Sequence, residues 1–586
     1  MYNEWSLDVL YKGTEDPALQ ADMVRLEEVI AAYKQAVGEL DAANAAASLR
    51  KVVEIREEMA VLTRRLGGYF SLRRSTNSAD TEGAAYTTKI QALSASVARE
   101  AVVFQKFVGA LENIDEIITG DELLKEYKFY FHEIQNEVKH TMGDEAEAVF
   151  TRMDIFGGEA WGDMMSYLTA TVEVDYKGEK TTLSAIRGLA DSADAGERKA
   201  ALEAELACYK KIKDPIAFAL NSIKAQVNME AELRGYESPL DMTLDQSRMK
   251  RETLEAMLQA MRESLPKFQA YLKHKAKLLG HENGLPWYDI LAPMGKADSA
   301  TYTVEEAHKY LVEHFESFAP DLAEMVDTAF KDEWIDFYPR GGKVGGAFCS
   351  NLPFAGQSRI LTNFSGSFGS VVTLAHELGH AYHGQQIQDH RPLNTGYTMP
   401  VAETASNFNE LIIVNDAIEK ASGEEKIQLI ESQIQDNTQI IVDIYSRFLF
   451  EDEVIRRRKD TFLFANDLEQ IMINAQKEAF GDGLDPEWLH PWMWCCKSHY
   501  YSSGLSYYNF PYAFGGLFSR GLYAKYLEEG EEFLPKYRAL LKATTVDTVE
   551  NVAGIAGIDL TQPDFWRTSL KMITDQIDLF IAETSK

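Results

Sequence analysis

Leu, Val, Ile and Met recur at three- and four-residue spacings from about Ala18 to Arg65, among Ala, Glu, Lys and Arg. That spacing lines apolar side chains along one helical face and predicts a long helical hairpin, with Gly67-Gly68 as its punctuation. A second helical stretch is predicted from about Ala84 to Leu111, and an aromatic, mixed segment follows as far as Met165. Thr171 to Thr182 then alternates around Lys177-Gly178, which predicts one β-hairpin. The polar run Asp191-Ser192-Ala193-Asp194-Ala195-Gly196 breaks the pattern and can cap a helix starting near Glu197. The lobe junction is placed there, giving an N-terminal helical lobe at 1–190 and a second region at 191–586. Gln357 to Phe364 has strand character and ends in Ser365-Gly366-Ser367. The pattern therefore predicts a mainly α fold with a small β-element. It shows no solenoid-length repeat and no low-complexity tract.

Chemistry concentrates just past that strand, in His376-Glu377-Leu378-Gly379-His380. The apolar run Val371 to Ala375 before it and Ala381-Tyr382 after it read as a buried helix. Four residues return a helix to the same face, so the two imidazoles stand side by side, with a carboxylate next to the first. This is half of a zinc site, because catalytic zinc takes three protein ligands and leaves a fourth position for water or substrate. Glu377, one residue step from His376, can face that water as a base. Gly379 costs about 1 kcal/mol against Ala inside a helix. A buried helix carries such a residue most readily where another backbone approaches closely.

The third ligand has three candidates. The pattern HExxHxxGxxH would need glycine at position 383 and histidine at 386, where the chain has His383 and Gln386, so that class is excluded. His383 lies on the same helical face, but three ligands on successive turns of one straight helix diverge along its axis. It is expected beside the site or at the core edge rather than on the metal. Glu403 follows Pro400, a residue suited to a first helical turn, and Glu403, Ser406 and Glu410 share one face of the helix predicted there. Its bland reading is an acidic residue near a helix N-terminus.

HELGH, with a glutamate 23 residues past the second histidine inside ExxSxxxE (Glu403, Ser406, Glu410), resembles the thimet oligopeptidase and oligoendopeptidase F family of zinc peptidases, its bacterial oligoendopeptidase F branch in particular. The segment Gly341-Gly342-Lys343-Val344-Gly345-Gly346-Ala347-Phe348-Cys349 is similar to that family's glycine-rich stretch, and a histidine followed by closely spaced tyrosines occurs from His499 to Tyr512. The resemblance implies two helical lobes around a deep channel, one Zn²⁺ per chain on His376, His380 and Glu403, and unfolded oligopeptide substrates. It also implies oxyanion stabilisation by His499 and some of Tyr508, Tyr512 and Tyr501, taken with His499 and Tyr508 first. Ser406 and Glu410 are expected to orient a histidine ligand. The strand at Arg359, Ile360, Leu361 and Thr362 is expected to be an edge that pairs with extended substrate, with Gly345 and Gly346 approaching its backbone.

Composition limits the partners. With 91 acidic against 59 basic residues the net charge is -32, which disfavours nucleic acid. The four cysteines form no disulfide framework, and no apolar run approaches the roughly 18 residues of a membrane span. The start Met1 to Asp8 lacks the basic and apolar regions of a leader. A cytoplasmic zinc endopeptidase is the expectation, with 191–586 as the catalytic domain. A metallocarboxypeptidase would need a basic residue for the substrate's terminal carboxylate. A peptide-binding scaffold without catalysis is the remaining alternative, and intact Glu377 argues against it.

Overall fold

The computed structural model describes residues 3–295 and 301–585; Met1 and Tyr2, from the start read above, lie outside it. The first hairpin is present as helices Pro17–Gly38 and Ala45–Thr76. Asp16 caps the first by accepting from the Ala18 amide at 2.9 Å, ahead of Pro17. Gly67-Gly68 does not end the second helix, which runs nine residues beyond Gly67 to Thr76. Leu62, Leu66, Tyr69 and Phe70 are buried on either side of the pair, and that packing outweighs the helix cost of two glycines. The Ala84 to Leu111 stretch is two helices, Thr81–Ala95 and Ala98–Gly109. Between them the Ser96 hydroxyl donates to the Leu93 carbonyl at 2.7 Å, a local bond that competes with the helix. Residues from Leu10 to Ile134 close a core of their own, with Leu352 as its one member from further along the chain.

Strands β1 (Glu173–Tyr176) and β2 (Glu179–Thr182) form the expected hairpin. Lys177 and Gly178 both have positive φ, 51° and 87°, as a two-residue hairpin turn of the favoured hand requires. Asp194 caps helix Ala195–Leu233 by accepting from the Gly196 amide at 2.8 Å. Val174, Leu183 and Ile186 share a core with Tyr209 and Ile216 of that helix and with Phe450, Trp494 and Tyr500. The chain before Asp191 is thereby packed against elements near the far end of the sequence.

A three-stranded sheet sits beside the HELGH helix. Its strands are β3 (Ile335–Asp336), β4 (Phe348–Leu352) and β5 (Gln357–Leu361), in the order β3-β5-β4. The strand expected to be an edge, β5, is central: it pairs parallel to β3 and antiparallel to β4. Its side chains are correspondingly interior. Ile360 and Leu361 are fully buried, and Arg359 donates from Nε to the Ser6 carbonyl at 2.6 Å. Thr362 donates to the Phe337 carbonyl at 3.1 Å. Arg359, Ile360 and Leu361 are thus core residues rather than substrate contacts, and Thr362 is tied down beside them. The open edge belongs to β4.

Lys343 anchors the glycine-rich loop before β4: its Nζ lies 2.6 Å from Asp336 Oδ1 and donates to the Tyr338 carbonyl at 2.9 Å. The first lobe holds the same loop through Ser78 N–H to Gly342 O at 2.8 Å and Val344 N–H to Ser75 O at 2.9 Å.

Helix Phe368–Ile387 starts at Ser367, whose hydroxyl accepts from the Ser370 amide, and carries HELGH through its middle. It crosses helix Thr404–Lys420 at Gly379. A Cβ there would lie 2.5 Å from Ala405 O and from Ser406 Cα, so only glycine permits the approach. Gly379→Ala is expected to cost about 1 to 3 kcal/mol, the usual range for overpacking. Gly68→Ala, where a Cβ meets nothing within 4 Å, should be neutral or slightly stabilising. Thermal unfolding of the two variants checks this; equal midpoints would contradict it.

Candidate metal and catalytic centre

The crossing at Gly379 delivers Glu403. The chain enters through a short helical turn, Met399–Ala402, leaves helical geometry at Glu403 (φ -90°, ψ 8°), and resumes at Thr404. The side chain therefore points from the break toward the two histidines. Glu403 Oε2 is 3.3 Å from His376 Nε2 and 3.4 Å from His380 Nε2. Among the described residues this is the one trio of His, Cys, Asp or Glu side chains whose ligand atoms all lie within 4.8 Å of one another. Zinc bonds of about 2.0 to 2.2 Å put tetrahedral ligand atoms about 3.3 to 3.6 Å apart. The donor set and its spacing fit a zinc ion.

Two of the three side chains are supported from behind. Glu410 Oε1 is 2.5 Å from His376 Nδ1, so a proton on Nδ1 is donated to the carboxylate and the Nε2 lone pair is left for a metal. Ser406 differs from expectation. Its hydroxyl donates to Glu403 Oε2 at 2.8 Å and to the Glu403 carbonyl at 3.1 Å, so it orients the carboxylate ligand and no histidine. Burial opposes ionisation of Glu403, but the hydrogen bonds and charges of His376 and His380 hold its carboxyl well below the usual range. Glu377 is 6% exposed, and burial raises its carboxyl above the ordinary glutamate range against the pull of His376 and His380. A carboxyl raised above its ordinary range is the kind of group that general-base chemistry uses.

His383 is fully buried, with Nε2 2.8 Å from the Thr544 hydroxyl and its ring stacked on Tyr397. Burial holds its pKa down to about 3, so it stays neutral and packs behind the site as the helix geometry required. Asn351 of β4 donates from Nδ2 to the His380 carbonyl at 3.2 Å and would meet a Cβ on Gly384 at 2.4 Å, which seats the strand on the HELGH helix. Gly345 and Gly346 are exposed in the loop leading into β4.

The tyrosine-rich segment divides into packing and site residues. Tyr501, expected near substrate, is 6% exposed and donates to the Trp494 carbonyl at 2.9 Å; it belongs to the core. His499, Tyr508 and Tyr512 cluster, with ring centroids 5.1, 5.7 and 5.9 Å apart, and the Tyr512 hydroxyl is 3.4 Å from His499 Nε2. The helix that carries Tyr512, Phe510–Glu529, lies against Glu403: a Cβ on Gly515 would be 3.0 Å from Glu403 Cβ, and Ser519 donates to the Thr404 carbonyl at 3.0 Å. Burial, Tyr508 and the Glu403 charge push the Tyr512 phenol up to about 12, which keeps it a proton donor at neutral pH.

Sequence reading missed what aims this cluster. Tyr507 has φ 54°, a left-handed conformation that costs a non-glycine residue about 1 to 3 kcal/mol. Its amide donates to Glu451 Oε1 at 3.0 Å and its hydroxyl to Asp452 at 2.8 Å; Glu451 itself is paired with buried Lys224 at 2.7 Å. No local motif signals Glu451, 56 positions earlier in the chain, or the Lys224 that pairs with it 227 positions before that. If the cluster stabilises an oxyanion, Tyr512→Phe and Tyr508→Phe remove one hydroxyl each and keep the ring. The true donor should lose 10²- to 10³-fold in kcat with little change in KM. Silence of both variants would remove the tyrosines from that role.

Comparison with known proteins agrees with the geometry. The model of peptidase family M3 matches residues 189–572, and that of oligopeptidase F matches residues 111–173. The group B oligopeptidase PepB of Streptococcus agalactiae is 24% identical over 98% of this chain and 96% of its own length. Oligopeptidase PepF of Bacillus subtilis is 23% identical over 80% of this chain and 70% of its own. The crystal structure of oligoendopeptidase-F from Enterococcus faecium superposes with a TM-score of 0.72 at 19% identity, covering 97% of this chain and 99% of that one. A peptidase from Chlamydophila abortus reaches 0.85 at 19% identity, over 99% and 98%. Such structural likeness speaks for the fold, and the family match, spanning well over half of the residues, settles the rest: the chain belongs to peptidase family M3.

Proposed function

We propose that this protein is a zinc-dependent endopeptidase that cuts internal bonds of unfolded oligopeptides. The observation that carries the reading is the 3.3 and 3.4 Å approach of Glu403 to His376 and His380, with the buried carboxyl of Glu377 beside them. A zinc ion held by that trio would supply a Lewis acid that polarises the scissile carbonyl and acidifies a water. Glu377 takes the proton of the attacking water and passes it to the leaving amine. His499, Tyr508 and Tyr512 offer donors to the negative charge that develops on the carbonyl oxygen. The free edge of β4 can hold the substrate backbone by strand addition, which binds a peptide while reading little of its sequence. Gly345 and Gly346 lie at the entry to that edge, so close passage of a peptide meets no side chain there.

The relatives named oligopeptidase and oligoendopeptidase F support oligopeptides as the substrate class. The family match starting at residue 189 supports a catalytic domain at 191–586 after an N-terminal lobe at 1–190. Four free cysteines suit the reducing cytoplasm. No described helix is long and apolar enough to cross a membrane.

An end-blocked fluorogenic peptide, assayed with and without chelator and with products identified by mass, tests the reading. Internal cleavage that is lost on chelation and restored by zinc supports it. Trimming only of an unblocked C-terminus would indicate a carboxypeptidase, and binding without turnover a scaffold. Glu377→Gln should retain about one zinc per chain while losing about 10²- to 10⁴-fold in turnover, since an amide cannot accept the proton. Near-normal turnover by the zinc-loaded variant would refute the role of Glu377.

A further inference from the structure

His376, His380 and Glu403 do not sit on one continuous element. The HELGH helix ends at Ile387, a 3₁₀ turn follows at Pro392–Asn394, and the turn Met399–Ala402 then delivers Glu403. The stretch from Arg391 to Thr398 therefore joins the two imidazoles to the carboxylate, and the 3₁₀ turn is its only regular structure. None of the three comes from the first lobe. That lobe nevertheless grips the joining stretch.

Helix Ala45–Thr76 presents Glu57 and Arg64 seven residues apart, which places them about 10.5 Å apart along one face. The Glu57 carboxylate accepts from Arg391 twice, Nε at 2.6 Å and Nη2 at 2.8 Å, the two-pronged pairing that is strongest for these groups. The Tyr127 hydroxyl donates to the same carboxylate at 2.5 Å and accepts from the Leu393 amide at 3.4 Å. Arg64 donates to the Thr395 hydroxyl at 2.7 Å, and Asn394 donates from Nδ2 to the Glu126 carbonyl at 2.8 Å. Leu393 packs against the core of the lobe. Pro392 apart, every residue from Arg391 to Thr395 is held by the lobe.

The remaining supports lie at the two ends of the stretch. His390 Nδ1 is 2.7 Å from the Thr545 hydroxyl, and the Tyr397 ring stacks on His383. Gly396, Tyr397 and Thr398 line a cavity of about 380 Å³ together with Tyr130, Glu133 and Glu137 of the lobe. Hydrogen bonds, rather than a filled core, therefore fix the stretch on that side. They converge on Glu57, whose side chain is only 13% exposed; its removal would strand the Arg391 and Tyr127 donors together.

We propose that Glu57 is a positioning residue for the metal site: acting through Arg391, it fixes the stretch that sets Glu403 against His376 and His380. The proposal rests on the zinc reading and deepens it, because metal retention then depends on a lobe that supplies no ligand. Glu403 Oε2 must stay 3.3 and 3.4 Å from two separate nitrogens, and a site of this kind tolerates only about 0.5 Å of misplacement.

Zinc release into excess chelator, followed on the full-length protein loaded with one equivalent of zinc, tests it beside thermal unfolding. Glu57→Ala should release zinc about ten-fold faster than the parent, the lower end of the range for groups that orient ligands. Glu58→Ala, which removes only the neighbouring exposed partner of Arg25, should not. Arg391→Ala should match Glu57→Ala, and the double variant should be no worse than either, since both cut one link. Glu57→Gln keeps the shape and should move release in the same direction, which preserves the test if the alanine variant does not fold. Release at the parent's rate, with or without a lowered unfolding midpoint, marks a merely structural pair and overturns the proposal while leaving the zinc site standing. Losses that multiply in the double variant overturn it too. A parent protein that takes up no zinc, or one that holds it equally well with both His376 and His380 replaced by alanine, brings down the zinc reading and this proposal with it.

Discussion

The site depends on one close backbone contact. Where Gly379 faces Ala405 and Ser406, two buried helices approach to a distance that a single methyl group would prevent, with a Cβ only 2.5 Å from the neighbouring main chain. That approach brings a carboxylate from one helix to two imidazoles on the other. A ligand on a third turn of the HELGH helix could not do the same, since its side chain would diverge along the axis. The supports follow from the same crossing: Glu410, two turns along the second helix, reaches back to His376, and Ser406 at the crossing holds Glu403. The tyrosine helix is then fixed against Glu403 through Gly515 and Ser519. Four glycine or serine positions, Gly379, Ser406, Gly515 and Ser519, thus register three helices around one point.

The sheet and the first lobe add a second layer of constraint. β4 is seated on the HELGH helix by Asn351, while Lys343 and the amides of Ser78 and Val344 hold the glycine-rich loop that leads into it. The free edge is therefore positioned from both sides, by the HELGH helix and by the N-terminal lobe. Any shift of that lobe would be transmitted to the loop that leads into β4.

What could be read from the sequence was local. HELGH, the glycine inside it and the Glu403 and Glu410 of ExxSxxxE come together as their helical spacing implies, Ser406 turns to Glu403 rather than to a histidine, and the β1–β2 hairpin is encoded by its two-residue turn. The strand edge was misassigned because β4 and β5 are adjacent and similar in length. The continuous run Ile360-Leu361, with both residues fully buried, was the available sign of a strand covered on both faces. Gly67-Gly68 misled because a local propensity was outweighed by packing from Leu62, Leu66, Tyr69 and Phe70. The tyrosines could not be sorted at all from spacing. Tyr501 and Tyr508 differ through tertiary placement: the first donates to the Trp494 carbonyl inside the core, and the second follows a turn held by the distant Glu451 and Lys224.

The central claim is that His376, His380 and Glu403 together hold one catalytic zinc. Anomalous diffraction at the zinc absorption edge, on crystals of protein loaded with one equivalent of zinc, locates the ion directly. The account predicts a single strong peak at about 2.0 to 2.2 Å from both histidine Nε2 atoms and from a Glu403 oxygen. A peak coordinated by His383 in place of Glu403, or one away from the HELGH helix, would contradict it.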